Sequence, residues 1–231
     1  MQAHEVRLLT ELEDRHWWYV ERRRIIDRAV AGIPPGTALD VGAAGGGNTR
    51  VLLRRGWRAV ALEYGPDGAQ VCAERGVPVV RGDATALPVA HGSMDLVVAF
   101  DVLEHLADDD AAAAGVFRAL RPGGVFLVAV PCDPALWSAH DEAVGHVRRY
   151  TRPELVGLLE SAGFAVEDVR SWMVLLRPAV AWRRRSSRGS DLSDPPWLLG
   201  AALRAVVAAE RYLPVGGLSG VSLLVRARRP R

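Results

Sequence analysis

The residues best suited to chemistry lie in a short turn between an apolar run and a helix-like segment. Asp40 follows Ala38 and Leu39, small residues fill positions 42–47, and positions 49–55 have a helical pattern. Glycine adopts backbone conformations that other residues avoid, so such a turn lets the main chain approach a ligand closely. A strand, a tight turn and a helix in this order are typical of sites for nucleotide-type ligands.

Three further acidic residues follow apolar runs that have the length of strands. Glu63 ends the run 57–62, Asp83 follows 77–80, and Asp101 follows 94–100. An acid about 20 residues after a glycine-rich turn is suited to binding both hydroxyls of a ribose. The spacing of these acids therefore strengthens the prediction of a nucleoside-containing cofactor.

A dinucleotide-binding loop is the nearest alternative, and two features argue against it. The glycines do not form the pattern G-x-G-x-x-G, because Ala44 stands in the place of the middle glycine. Asp40 precedes the turn, where its charge would repel a pyrophosphate. A carboxylate at this point suits a cofactor that carries an amino group and no phosphate.

These motifs, over roughly residues 36–170, resemble those of the class I S-adenosyl-L-methionine (SAM) dependent methyltransferases, which have a Rossmann-like fold. Residues 120–124, before an apolar run to 130, are similar to that family's fifth motif, and the motifs occur in the family's order. The resemblance implies SAM as cofactor and S-adenosyl-L-homocysteine (SAH) as product. It implies that the methionine part faces Asp40 and the turn, the ribose Glu63, and the adenine Asp83. The cofactor-binding residues implied in this way are Asp40, Gly42, Ala44, Gly46, Glu63, Tyr64, Asp83, Ala84 and Asp101.

A second group of ionisable residues, at 140–151, follows the predicted fifth strand, at the carboxyl edge where ligands bind in such sheets. We expect His140 or His146 to remove a proton from the acceptor, with Asp141 orienting or charging its partner. His140 is favoured because it comes first after the strand. Arg148 and Tyr150 are expected to bind the acceptor. The segment looks like one in bacterial methyltransferases of envelope-glycan and natural-product pathways, and a purely structural loop is the alternative.

The sequence also contains a candidate metal cluster. Asp101, Glu104 and His105 could face one ion, and some methyltransferases of quinone biosynthesis have a similar cluster with a divalent ion. The alternative is that Glu104 and His105 only build the loop after the fourth strand. Because the sulfonium already activates the methyl group, we expect no metal in this site.

Hydrophobic periodicity and turn residues predict the elements that must position these residues. Strand and helix signals alternate from 36 to about 170, which indicates a doubly wound sheet. We predict an α/β fold, with a mostly parallel seven-stranded sheet, helices on both faces, an N-terminal helical arm and a helical insertion before the last strand. The predicted strands are 37–41, 58–62, 77–80, 94–100, 124–130, 164–170 and 218–228, and the predicted helices are 5–31, 47–55, 67–75, 108–120 and 152–163. In the resembling family, the sixth and seventh strands form an antiparallel pair at the sheet edge.

The predicted arm occupies residues 1–35 and the cofactor-binding domain residues 36–231, with the insertion at 172–214. Within the arm, Trp17, Trp18 and Tyr19 could form a lid over the cofactor, and Trp18 and Tyr19 are expected to contact the substrate. The alternative is that they only pack the arm onto the domain.

Composition limits the class of protein and its partners. A chain of 231 residues with net charge +2 suits one domain with a small appendage and excludes a strong nucleic-acid footprint. Cys72 and Cys132 do not form a disulfide framework, and no apolar run reaches the ~18 residues of a membrane span. We expect a cytoplasmic monomer or homodimer with a small-molecule partner.

One basic segment leaves contact with a membrane surface open. Residues 183–185 and Arg188 are arginines between Trp182 and Trp197, a pattern that suggests an anionic surface or a lipid-linked substrate. All 29 basic residues of the chain are arginine, so an ordinary exposed loop is the simpler interpretation.

The predicted function is methyl transfer from SAM to an oxygen or nitrogen of a small natural-product or sugar-like acceptor. One alternative is C-methylation of a quinone- or lipid-like acceptor. Another is a SAM-binding accessory protein without catalysis, although the ionisable loop at 140–150 favours an enzyme.

Overall fold

The computed structural model of the chain describes residue 10, residues 12–185 and residues 195–231. Within these residues, seven strands form one sheet in the order β3-β2-β1-β4-β5-β7-β6. Neighbours from β3 to β5 pair in parallel, and β7 runs antiparallel to both β5 and β6. The strands are β1 Thr37–Val41, β2 Arg58–Glu63, β3 Val79–Arg81, β4 Met94–Phe100, β5 Leu120–Pro131, β6 Ala165–Trp172 and β7 Ser222–Arg228. The predicted fold class is confirmed, and the antiparallel pair has β7 inside and β6 at the edge.

Helices cover both faces of this sheet. Those of the described residues are α1 Trp17–Val30, α2 Gly47–Arg54, α3 Pro66–Glu74, α4 Asp109–Ala119, α5 Ala139–Ala143, α6 Arg152–Ser161, α7 Arg177–Arg184 and α8 Trp197–Glu210. Thr151 caps α6: its hydroxyl accepts from the backbone N–H of Glu154, whose side chain accepts from the N–H of Thr151.

The continuous helix predicted for 5–31 is wrong in its middle. Asp14 and Arg15 form a turn, and α1 begins only after His16, whose Nδ1 accepts from the N–H of Trp18. Residues 1–9 and 11 lie outside the described residues. The side chain of His16 satisfies a backbone donor that an uninterrupted helix would have bonded itself, so the capping residue divides the arm.

Two cores lie on opposite faces of the sheet, because neighbouring residues of a strand point to opposite sides. Leu39 and Val41 of β1 belong to the core beneath α4 and α6, together with Phe126. Ala38 of the same strand belongs to the core beneath α1 and α2, together with Leu96. The sheet is therefore buried on both sides and presents its carboxyl edge to ligands.

The predicted insertion at 172–214 contains α7 and α8. Its first predicted residue, Trp172, is instead the last residue of β6, and Arg188 lies outside the described residues. Trp172, Met173 and Val207 form a small core against which Trp17 and Trp18 of the arm pack. The arm and the insertion thus support each other. No helix in the described part of the chain is long and apolar enough to cross a membrane.

Candidate cofactor and acceptor site

The turn after β1 has left-handed backbone at three positions. Gly42, Ala44 and Gly46 have φ of 68°, 47° and 79°. A Cβ at Gly42 would lie 2.6 Å from Cγ2 of Val102, so this position also lacks room for a side chain. Ala44 adopts a conformation that favours glycine, and it therefore bears backbone strain.

Asp40 lies beneath this turn and is only 1% exposed. Its Oδ2 accepts a hydrogen bond of 2.6 Å from the hydroxyl of Thr49, near the start of α2. Burial raises the pKa of Asp40 to about 7, although the hydrogen bonds from Thr49 lower it, and the charges of Glu63 and Glu13 add to the rise. A bound cation would shift this carboxyl to its ionised form.

Glu63 ends β2, and its carboxylate reaches across to the turn. Oε2 accepts from the N–H of Ala44 at 2.7 Å, and Oε1 accepts from the N–H of Gly65 at 3.1 Å. Each oxygen keeps a lone pair that could accept from a ribose hydroxyl. The geometry is compatible with the predicted role of Glu63.

The residues predicted to bind adenine lie further along the same edge. Oδ1 of Asp83 accepts from the backbone N–H and the hydroxyl of Thr85, both at 2.8 Å, and these bonds lower the pKa of Asp83. The ring of Tyr64 is 74% exposed, and Ala84 is half-buried. Asp83 therefore shapes its own turn, and contacts of these residues with adenine stay a prediction.

Asp101 follows β4 with a left-handed φ of 59°. Its backbone N–H donates to the carbonyl of Ala129 at 2.8 Å, and its Oδ2 lies 2.5 Å from Nη2 of Arg22 on α1. Sequence analysis missed Arg22. Three arginines stand in a row at 22–24 in a chain whose basic residues are all arginine, so no signal distinguished one of them.

The loop after β5 brings Asp141 and His146 together. Nδ1 of His146 lies 2.8 Å from Oδ1 of Asp141. The carboxylate of Asp141 is fully buried and also accepts hydrogen bonds from Ser138, Arg149 and Arg184. Burial alone would raise the pKa of Asp141, but the hydrogen bond from His146 and the two arginines hold it below its usual range. The ionised carboxylate favours the tautomer protonated at Nδ1, which leaves the lone pair of Nε2 available.

The other residues predicted in this loop have different surroundings. His140 lies in α5, and its ring centroid is 6.3 Å from that of His146. Nη1 of Arg148 lies 2.7 Å from Oδ2 of Asp109, and the hydroxyl of the buried Tyr150 donates to the same oxygen at 2.5 Å. These contacts tie the loop to the start of α4 and favour a structural role for both. Binding of the acceptor by Arg148 and Tyr150 stays a prediction.

Glu104 and His105 lie in a short 3-10 turn after β4, beside His146. Glu104 is fully buried, and neither carboxyl oxygen has a hydrogen-bond partner among the described residues. Its Oε1 is 3.8 Å from Nε2 of His146, and burial together with the charge of Asp101 raises its pKa well above the usual range. One ligand-type atom from each of Glu104, His105 and His146 lies within 4.8 Å of the other two. The expectation that no metal takes part stays a prediction.

Trp18 and Tyr19 of α1 lie at the margin of this edge. Their rings meet edge-on with centroids 4.9 Å apart, and Trp18 lies 6.1 Å from the ring of Trp172. Burial and the nearby charge of Asp101 raise the pKa of Tyr19. Trp18 packs the arm onto the domain, and a role of the two side chains as a lid stays a prediction.

Known proteins resemble the chain in sequence. A family model described as a methyltransferase domain matches residues 39–128. A Mycolicibacterium smegmatis protein described as a probable S-adenosylmethionine-dependent methyltransferase is 32% identical over 168 residues, which are 70% of this chain and 65% of that protein. The demethylmenaquinone methyltransferase of Renibacterium salmoninarum is 32% identical over 188 residues, 80% of this chain and 74% of that enzyme.

The fold has solved counterparts as well. Phosphoethanolamine N-methyltransferase 2 of Haemonchus contortus, in complex with SAM, aligns with a TM-score of 0.65 at 18% identity, over 91% of this chain and 53% of that one. Of the two sequence relatives, the chain spans less than two thirds of the length of the M. smegmatis protein and 74% of the length of the R. salmoninarum enzyme. Sheet order, the turn after β1 and the sequence matches agree, and the chain belongs to the class I S-adenosylmethionine-dependent methyltransferases.

Proposed function

We propose that the chain transfers the methyl group of SAM to an oxygen or nitrogen of a small-molecule acceptor. The observation that carries this proposal is the Asp141–His146 pair, with Nδ1 and Oδ1 2.8 Å apart in the loop after β5. This loop follows the carboxyl end of β5, at the edge where Asp40 and Glu63 lie near the ends of their strands and Asp101 follows β4. A protein that only held the cofactor would not need an oriented imidazole there.

In this proposal the cofactor lies along the turn after β1. Asp40 faces its ammonium group, Glu63 its ribose and Asp83 its adenine. The sulfonium already activates the methyl group, so two tasks are left to the protein. It must align the acceptor with the bond between sulfur and the methyl carbon, and it must remove a proton from the acceptor.

The proton passes to Nε2 of His146 while a lone pair of the acceptor forms the bond to the methyl carbon. The bond between sulfur and that carbon breaks, its electron pair stays on sulfur, and SAH leaves. Ionised Asp141 stabilises the imidazolium through Nδ1–H, and the imidazolium later releases its proton to water. We assign this step to His146, not to His140 as first favoured, because Asp141 contacts His146.

The test is kcat for His146→Ala, with His140→Ala as a matched control from the same loop. Loss of the base should lower kcat by about 10²–10⁴, while the Kd for SAM stays near that of the wild type. Wild-type kcat in the first variant and loss in the second would move the role to His140. Wild-type kcat in both, across about pH 6–9, would refute a histidine base.

A second candidate is C-methylation of a quinone- or lipid-like acceptor, and the likeness to a demethylmenaquinone methyltransferase favours it. Incubation with SAM and separate phenolic, amino-sugar and demethylquinone acceptors tests both candidates. Mass spectrometry reports methylation, and NMR locates the new methyl group on oxygen, nitrogen or carbon. SAM binding without SAH formation from any acceptor would instead favour an accessory protein.

A further inference from the structure

Arg22 is a charged side chain buried where the N-terminal helix meets the site. It is 3% exposed, and its guanidinium carbon lies 4.5 Å from the ring centroid of Trp18, 4.9 Å from that of Phe100 and 5.7 Å from that of Trp172. These rings belong to α1, β4 and β6, so three elements fix one cation. Cation–π contacts offset part of the cost of removing a guanidinium from water.

The partner of this cation is Asp101, whose Oδ2 lies 2.5 Å from Nη2 of Arg22. Among the described residues, Asp101 forms its ion pair with Arg22. The left-handed backbone of Asp101, with φ of 59°, is costly for a residue other than glycine, and such strain persists where the surroundings fix it. Arg22 therefore holds the carboxylate of Asp101, a residue with a strained backbone, at the carboxyl edge of the sheet.

The charges around Asp101 show why it needs this partner. Tyr19 and Arg22 face it from α1, Glu104 and His105 from the turn after β4, and His146 from the loop after β5. Burial raises the pKa of Asp101, and the charge of Arg22 is the largest influence in the opposite direction. Without Arg22, the carboxylate of Asp101 would lose the strongest of the favourable charges around it and would lie beside the carboxyl group of Glu104.

We infer that Arg22 is a positioning residue for the cofactor: it holds the carboxylate of Asp101 in place and so makes cofactor binding depend on the seating of α1. The inference rests on the proposed function and on the contact with the cofactor that the family resemblance implies for Asp101. It gives the arm a defined role, in which a residue of α1 positions the carboxylate of an acid 79 residues later in the chain.

The test is calorimetric binding of SAH to Arg22→Gln, Asp101→Asn and the double variant. Each single change should weaken binding roughly tenfold, the order expected for a charge-assisted contact. The double variant should bind no more weakly than Asp101→Asn, because Arg22 acts through Asp101. Arg28→Gln is the matched control: Arg28 is exposed on the same helix and has no ion pair among the described residues.

A charge-conserving variant separates this role from packing alone. Arg22→Lys retains the charge and should keep most of the affinity, and thermal unfolding shows whether each variant is folded. Unchanged binding in Asp101→Asn would refute the proposed contact with the cofactor. Weak binding in Asp101→Asn with normal binding in Arg22→Gln, or additive losses in the double variant, would overturn the inference about Arg22.

Discussion

The hydroxyl of Thr49 donates to Oδ2 of Asp40 across 2.6 Å, in a hydrogen bond that joins the start of α2 to β1. The turn between them is therefore held at both ends. Yet burial raises the pKa of this acid to about 7. The residue predicted to bind the cofactor's ammonium group is thus close to half-ionised near neutral pH until a cation binds.

Cofactor affinity should depend on pH through Asp40. Only the ionised carboxyl attracts the ammonium group, so the Kd for SAM should fall roughly tenfold between pH 5.5 and pH 7. This range lies below the ordinary α-amino pKa of about 7.7–8.0, so the ligand keeps its charge. Calorimetry at several pH values measures the effect. Asp40→Asn should bind weakly without this slope, and wild-type affinity in that variant would contradict the predicted role.

The same residue should lower stability at neutral pH. The pKa of Asp40 is higher in the folded than in the unfolded chain, so the folded state binds more protons between about pH 4 and pH 7. The contribution of Asp40 to the free energy of unfolding therefore falls as pH rises through that range. Asp40→Asn should therefore be more stable than the wild type at pH 8, by about 1–3 kcal/mol, with little gain at pH 4. Urea unfolding at both pH values tests this, and an equal difference at both would argue against it.

Ala44→Gly should stabilise the protein. A left-handed alanine costs about 1–2 kcal/mol, whereas glycine adds about 0.5–1 kcal/mol of unfolded-state entropy, so the net gain should be about 0.5–1 kcal/mol. Ala43, the preceding residue, is buried and has no positive φ, so Ala43→Gly is the matched control and should destabilise. Urea unfolding of both variants provides the comparison. A loss of stability in Ala44→Gly would mean that the methyl group contributes more packing than the strain costs.

Methyl transfer should not require a metal ion. The sulfonium supplies the activation that a metal would otherwise provide, so chelation followed by dialysis should leave kcat unchanged. The close approach of Glu104, His105 and His146 makes this a demanding test. Activity that disappears with the chelator and returns with a divalent ion would contradict the prediction.

The sequence by itself determined most strands of the sheet and the edge at which their acidic residues meet. β1, β2 and β4 each appear as an apolar run that ends at an acid, and that pattern is local. The carboxyl ends of parallel strands lie at one edge, so residues that directly follow such strands are brought together by topology. The capping of α6 by Thr151 was equally predictable, because a cap involves residues only three positions apart.

The tertiary structure decided the pairs that lie across elements. It placed Asp141 on His146, and Arg22 on Asp101. Periodicity states which face of an element is buried, but the direction of a long side chain depends on the packing of its neighbours. For Arg22 these neighbours are rings from α1, β4 and β6, which only the folded chain brings within reach. The local sequence therefore determined at which edge of the sheet the acidic residues lie, and long-range packing determined which charged groups meet there.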